Sequence, residues 1–164
     1  MPIDVLCVGH AAYDISLFVD QYPQENSKCE TEDLLEGCGG PASNAAYLLS
    51  KWSVACAFAG LVGDDVYGQR IADAFRSVGT DISLLDQRTA HVTPLSMILV
   101  NERNGSRTII NRTRKDATYE VDFREWDSGC PRVLLFDGHA LQASLSALEV
   151  FPDAVSILDA GSWR

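Results

Sequence analysis

Positive charge is scarce in this chain: 13 lysines and arginines stand against 23 aspartates and glutamates among 164 residues, a net charge of −10. A surface of that sign repels phosphate backbones and anionic headgroups, which excludes nucleic acid and acidic membranes as partners. Long apolar runs are also missing. No stretch approaches the roughly 20 residues of a spanning helix, and the amino terminus enters Ile3–Val8 without the regions of a signal peptide. Cys7, Cys29, Cys38, Cys56 and Cys130 form no CxxC pair and no zinc spacing, and their number is odd. Cys7 and Cys56 lie in apolar runs and read as small buried hydrophobes. A reduced, cytoplasmic protein is expected, so the sequons at Asn104 and Asn111 carry no sugar. His10, His91 and His139 are scattered, without metal-ligand spacing. Walker A, GxSxG and Cys/His nucleophile patterns are absent as well.

What is present is an alternation. Ile3–Val8 is a short apolar run ending at Gly9, which suits a central parallel strand buried on both faces. Asp14–Val19 and Cys29–Leu35 read as a strand pair joined by a turn-prone segment. The spacing of Ala45, Leu48, Leu49 and Trp52 predicts a helix over Ser43–Trp52 with those residues inward. Ala55–Ala59 is the next buried strand. A second helix, Tyr67–Val78, carries Ile71, Ala74, Phe75 and Val78 as its stripe, with Asp64 or Asp65 as N-cap and Gly79 as its stop. Leu95–Val100 and Arg107–Asn111 flank Asn104-Gly105, a hairpin signal. Strand Val133–Phe136, a helix over 142–151 and strand Val155–Leu158 complete the pattern.

Buried strands alternating with helices predict an α/β parallel sheet flanked by helices. The two antiparallel pairs do not fit inside it and are assigned to a β-sheet projecting as a lid. The last strand has no helix after it to cover a face, so the sheet is expected to be unfinished, its C-terminal part missing.

Ligands of open α/β sheets bind beyond the carboxyl ends of the strands. Asp14, the Gly39-Gly40 pair with Asn44, and Asp137 with His139 all fall at or near such ends. A glycine pair lets backbone approach a ligand closely, Asn44 adds an amide that donates and accepts, and a helix start adds free N–H groups. This combination suits a small polyhydroxylated molecule. Gly37-Cys38-Gly39-Gly40-Pro41-Ala42 also fits the GxGxxA dinucleotide pattern. Its preceding strand belongs to the lid, however, and Pro41 removes an N–H from any phosphate cradle. Arg103, Arg107, Arg112, Arg114 and Lys115 concentrate positive charge in one region, which suggests an anion site with Arg107 as its best candidate. A solvated hairpin face accounts equally well for the other four.

Gly39-Gly40 followed by Asn44, Ala46, Ser53 and Gly63 resembles the first signature of the ribokinase-like, or PfkB, carbohydrate kinases. Val5–Gly9 before Asp14, Asp20-Gln-Tyr-Pro23, Thr93-Pro94, Gly105-Ser-Arg-Thr108 and Val155–Asp159 extend the likeness over nearly the whole chain. Cys56-Ala57-Phe58 and the Asn-Gly-x-Arg-Thr hairpin point to the ketohexokinase, or fructokinase, branch. The resemblance implies one incomplete ribokinase-like domain over residues 1–164, with lid segments at about 12–36 and 93–114. It implies phosphoryl transfer from ATP, with Mg²⁺, to a hydroxymethyl group of a fructose-like or related sugar. By position, Asp14, Gly39, Gly40 and Asn44 match the substrate site, and Arg107 matches an arginine approaching the phosphates. Asn26 falls where the ketohexokinase branch has an aspartate that reaches the partner subunit's sugar. His139 takes roughly the place of a glutamate contacting the sugar. Pro41 and Ser106 depart from asparagines of that branch. The lid is one that forms homodimers in the family.

The family's second signature, Gly-Ala-Gly-Asp, does not occur in the chain. Its aspartate is the general base and its glycines form the anion hole, so no catalytic residue is assigned here and the 164 residues alone are expected to be inactive. Two alternatives stay open: a non-catalytic sugar-binding or dimerisation module, and a nucleoside kinase.

Overall fold

The computed structural model describes residues 2–113, 118–127 and 129–160. Its centre is a five-stranded parallel sheet with the order β5-β4-β1-β8-β9. These strands are β1 (Val5–Val8), β4 (Cys56–Gly63), β5 (Asp81–Arg88), β8 (Val133–Phe136) and β9 (Val155–Leu158). Parallel neighbours need crossovers, and the helices α1 (Pro41–Lys51), α2 (Val66–Val78) and α3 (Leu141–Val150) provide them. β1 is the pivot: the chain first builds outward through β4 and β5, then returns to its other side with β8 and β9.

Alternation along the strands splits the core into two layers. Val5, Cys7, Cys56, Phe58 and Val62 face α1 and α2, where Phe58 stacks on Phe75 of α2 at 4.9 Å. Leu6, Val8, Ala57, Ala59, Leu134 and Phe136 face α3 and a 3-10 turn at Phe123–Glu125. Phe58, Phe75 and Phe123 are the largest fully buried side chains, each worth about 2–3 kcal/mol of burial. The Cys7 and Cys56 sulfurs sit 3.9 Å apart in this layer as free thiols. Their neighbour hydrogen bond and burial push the Cys7 thiol far above its usual range.

A second sheet has the order β3-β2-β6-β7, with β2 (Ala12–Val19), β3 (Leu34–Gly39), β6 (Leu95–Asn101) and β7 (Arg107–Arg112). It comprises the two expected antiparallel pairs, joined by a parallel pairing of β2 and β6 that starts at Tyr13 and Leu95. Among the described residues, no helix is long and apolar enough to cross a membrane.

Two expectations need correction, and one strand was missed. The second strand of the first pair runs Leu34–Gly39, not Cys29–Leu35. Glycine is a poor strand former, but at Gly39 the Asp14 carboxylate lies where a β-carbon would be. The inward face of α1 is built of Ala42, Ser43, Ala46 and Ser50, while Leu48 and Trp52 are exposed. Small side chains let this helix approach the sheet, and the larger ones are turned out by that approach. Finally, β5 gave no sequence signal. It is an edge strand in which Asp81, Ser83 and Asp86 interrupt the core-packed Ile82, Leu84 and Leu85, and it follows the αL stop at Gly79.

Asp65 is the cap expected at one of two aspartates, accepting from the N–H groups of Tyr67 (3.1 Å) and Gly68 (2.9 Å). Its other oxygen accepts from the N–H of Thr93 at 2.9 Å. The fully buried Thr93 hydroxyl accepts in turn from Gly63 N–H at 2.9 Å. One carboxylate thus ties the start of α2 to the segment leading into β6.

Candidate functional site

The return of the chain to β8 after β4 and β5 opens a crevice beyond the carboxyl ends of β1 and β8, where open α/β sheets bind ligands. Gly9 and His10 follow β1; Asp137, Gly138 and His139 follow β8. Asp137 is only 7% exposed, and its carboxylate fills the space a side chain at Gly9 would need. Oδ2 accepts from the N–H of His10 at 2.9 Å and of Ala42 at 3.2 Å, and Oδ1 from the N–H of His139 at 3.0 Å. It fastens both strand ends and the first turn of α1 together. The sequence placed Asp137 at a strand end but gave it no part; an acid directly after a buried apolar strand was the available signal.

Gly40 enters α1 with φ 99°, a left-handed conformation that favours glycine, and a β-carbon there would overlap the His10 carbonyl. Pro41 follows at the first helical position, where a missing N–H costs nothing. The N–H of Asn44 donates to the Gly40 carbonyl at 2.9 Å, closing the first turn and leaving the Asn44 side chain exposed.

Asp14 comes from β2 and its carboxylate lies over Gly39, in the space of the absent β-carbon. Among the described residues no hydrogen bond reaches that carboxylate. Burial, with Asp14 nearby, raises the Cys38 thiol above its usual value. Asp14, Ser16, Glu36, Asn44, Tyr47 and Arg70 line an open cleft of about 860 Å³. Within it Arg70 donates to the Tyr13 hydroxyl at 3.1 Å and to the Glu36 carboxylate at 3.2 Å. A second cleft of about 800 Å³ includes Asp4, Arg132 and Val155; it opens at the amino ends of the strands, away from the ligand end.

Gly39, Gly40, Asp14 and His139 thus lie about the sheet crevice, where Asp14 and His139 both face His10, and Asn44 lines the adjoining cleft with Asp14. Asn26 does not join them: it sits at φ 60° in the exposed loop between β2 and β3, at the opposite end of that hairpin from Asp14. Arg107 is an exposed residue of β7, opposite Val100 of β6. The basic cluster does not act as one unit. Arg112 donates to the Thr93 carbonyl at 3.2 Å and covers the Tyr67 ring, and Arg103 pairs with Asp20 at 3.2 Å. Arg114 and Lys115 lie outside the described residues. Also among the described residues, no group of three or more His, Cys, Asp or Glu is arranged to hold a metal ion.

The profile of the pfkB family carbohydrate kinases matches residues 2–149. Ketohexokinase of Mus musculus is 37% identical over 106 residues, which cover 65% of this chain and 36% of that protein. A nucleoside kinase of Methanothermobacter thermautotrophicus is 26% identical over 98 residues, 60% of this chain and 32% of that protein. Among solved structures, the Arabidopsis thaliana ribokinase complexed with ribose and ATP superposes with a TM-score of 0.80 at 20% identity, over 99% of this chain and 55% of that one. That likeness speaks for the fold. The chain spans about a third of the length of these curated relatives and about half that of the solved structure.

Proposed function

Because this chain belongs to the pfkB family of carbohydrate kinases, we propose that it forms the substrate-binding part of an ATP-dependent kinase acting on a hydroxymethyl group of a sugar. The carrying observation is the Asp14 carboxylate, seated over Gly39 with no hydrogen-bond donor from the described residues and facing the start of α1. A carboxylate left open in a crevice, with the Asn44 amide nearby, is matched to vicinal hydroxyl groups. Asp14 and Asn44 would hold those hydroxyls, Gly39 and Gly40 let the sugar approach the backbone, and His139 flanks it from β8.

ATP is the proposed phosphoryl donor, and Arg107, on the exposed β7 strand, is the residue of this chain assigned to meet its phosphates. Phosphoryl transfer depends on positioning and charge stabilisation. In this reading the general base, the anion hole and the Mg²⁺ ligands come from outside these 164 residues, and the fragment alone is inactive. We assign the four-stranded sheet the role of a lid. Exposed Leu34, Leu35, Met97, Ile109 and Ile110 on it support a homodimer formed there, in which Asn26 would reach the partner's site. The five free cysteines fit a cytoplasmic location.

A coupled assay of ATP-dependent phosphorylation by the full-length protein, run with D-fructose, D-ribose and adenosine, tests this. We expect turnover of a sugar and its loss by at least a hundredfold in Asp14→Ala; no phosphorylation of any of the three would refute the proposal. The likeness to a nucleoside kinase favours one second reading, in which adenosine is the better substrate. Turnover by the 164-residue fragment itself would remove the assignment of the base elsewhere.

A further inference from the structure

His10 follows the central strand β1 at the mouth of the crevice, and its ring lies 5.0 Å from that of His139, tilted by 34°. The two come from neighbouring strand ends and are fixed from below by the same acid, since Asp137 accepts from both of their backbone N–H groups. Their side chains are thereby held side by side while their backbones are immobilised. Among the described residues neither imidazole makes a hydrogen bond. His139 is exposed to water, whereas the His10 ring is half-buried, and a half-buried polar ring that pairs with nothing in its own chain is costly unless something else satisfies it.

Resting on the polyol site proposed above, we infer that His10 is a substrate-binding residue that determines specificity, forming with His139 a two-imidazole wall that reads sugar hydroxyls across the crevice from Asp14 and Asn44. A neutral imidazole presents one N–H donor and one acceptor nitrogen, which matches a hydroxyl that must both accept and donate. Asp14 is an acceptor only when ionised, so the imidazoles supply the donors that a carboxylate cannot. Two rings in contact span adjacent hydroxyl groups rather than one.

The groups facing His10 are Asp14 from β2, and Asp137 and His139 from the end of β8. Burial, then the neighbouring His139, lower the proton affinity of His10 below its ordinary value of 6.5, against the opposing pull of Asp137 and Asp14. The ring is therefore neutral at pH 7, in the form that accepts a hydrogen bond. Protonation removes the acceptor, so sugar affinity should fall on acidification below pH 6.5.

The test is equilibrium binding of D-fructose, D-ribose and adenosine to the full-length protein without nucleotide, from pH 5 to pH 8. The variants are His10→Leu, His10→Asn and Asp14→Asn. Leucine removes all hydrogen bonding, and we expect it to weaken the best-bound of the three compounds at least tenfold at pH 7.5. Asparagine keeps one donor and one acceptor without titrating. It should recover most of that loss while flattening the acid decline. If Asp14→Asn abolishes binding but His10→Leu stays within twofold of wild type and keeps the acid decline, the role of His10 is refuted and the polyol site stands. If none of the compounds binds the wild type, both fall. Should His10→Leu fail to fold, His10→Asn decides alone: an unchanged acid decline overturns the inference.

Discussion

The Asp14 carboxylate occupies the space that a β-carbon on Gly39 would take. The acid on β2 and the glycine ending β3 are cross-strand neighbours in one hairpin, whose register pairs Ala12 with Gly39 and Asp14 with Gly37. Gly39→Ala is expected to push the carboxylate off its seat. Sugar affinity should fall at least tenfold, with the unfolding midpoint shifted much less than by a core truncation. Titration calorimetry beside thermal unfolding separates the two effects. An alanine variant with wild-type affinity would show that the seat does not position Asp14.

Such a seat explains what was legible in the sequence and what was not. The glycine pair, Asn44 and Asp14 stood out because each is an odd residue type for its element, and the structure brings them to one crevice and its adjoining cleft. The strand containing Gly37 and Gly39 was misplaced because glycine lowers strand propensity, while the seat of Asp14 demands it at Gly39. In α1 the periodicity was right and the face half right, since Ala45 and Leu49 pack against the core. Leu48 and Trp52 carry the hydrophobicity, but the close approach of the helix to β1 and β4 selects Ala42, Ser43 and Ala46. β5 packs Leu84 into one core layer and Ile82 and Leu85 into the other, but Asp81, Ser83 and Asp86 interrupt the apolar run that betrays β1 and β8.

Asp137 is buried and accepts three backbone N–H groups from three separate segments. Asp137→Ala would leave those donors unpaired, and hydrogen bonds to a charged acceptor are worth about 1.5–3 kcal/mol each in such a setting. We expect a loss of roughly 3 kcal/mol in urea unfolding, within the range of broken buried networks. Asp137→Asn, which keeps one acceptor oxygen, should lose less. Equal stability of all three proteins would contradict the account.

Asp65 makes stability depend on acid pH. Burial pushes its carboxyl up, but the hydrogen bonds from Gly68, Thr93 and Tyr67 outweigh this and leave it below the usual 3.8. A depressed folded-state value means that the contribution is fully present above the unfolded value and is lost as pH falls through the folded one. Asp65→Ala should cost about 1 kcal/mol at pH 7, the usual worth of a cap. The gap between wild type and variant should close below pH 3.8. A gap constant from pH 7 to pH 2.5 would assign the effect to packing alone.

Ser43 is fully buried in the first turn of α1, and its hydroxyl has no partner among the described residues. Burying an unpaired hydroxyl costs about 1–3 kcal/mol, and alanine is the better helix former. Ser43→Ala is therefore expected to stabilise the protein by roughly 1 kcal/mol in urea unfolding. Destabilisation would mean that the hydroxyl has a partner in solution.

The parallel pairing of β2 with β6 has a consequence for the order in which the molecule forms. Tyr13 meets Leu95 only after the chain has travelled through α1, β4, α2 and β5. A contact between residues so distant in sequence carries a large loop-closure cost until the intervening elements are in place. The β2–β3 and β6–β7 hairpins are local and can form early, each on its own. Their union into one four-stranded sheet waits for the layer of α1 and α2 on the central sheet. Asp14 can take its seat over Gly39 within the β2–β3 hairpin, but its place opposite Ser96 of β6 comes only with that union.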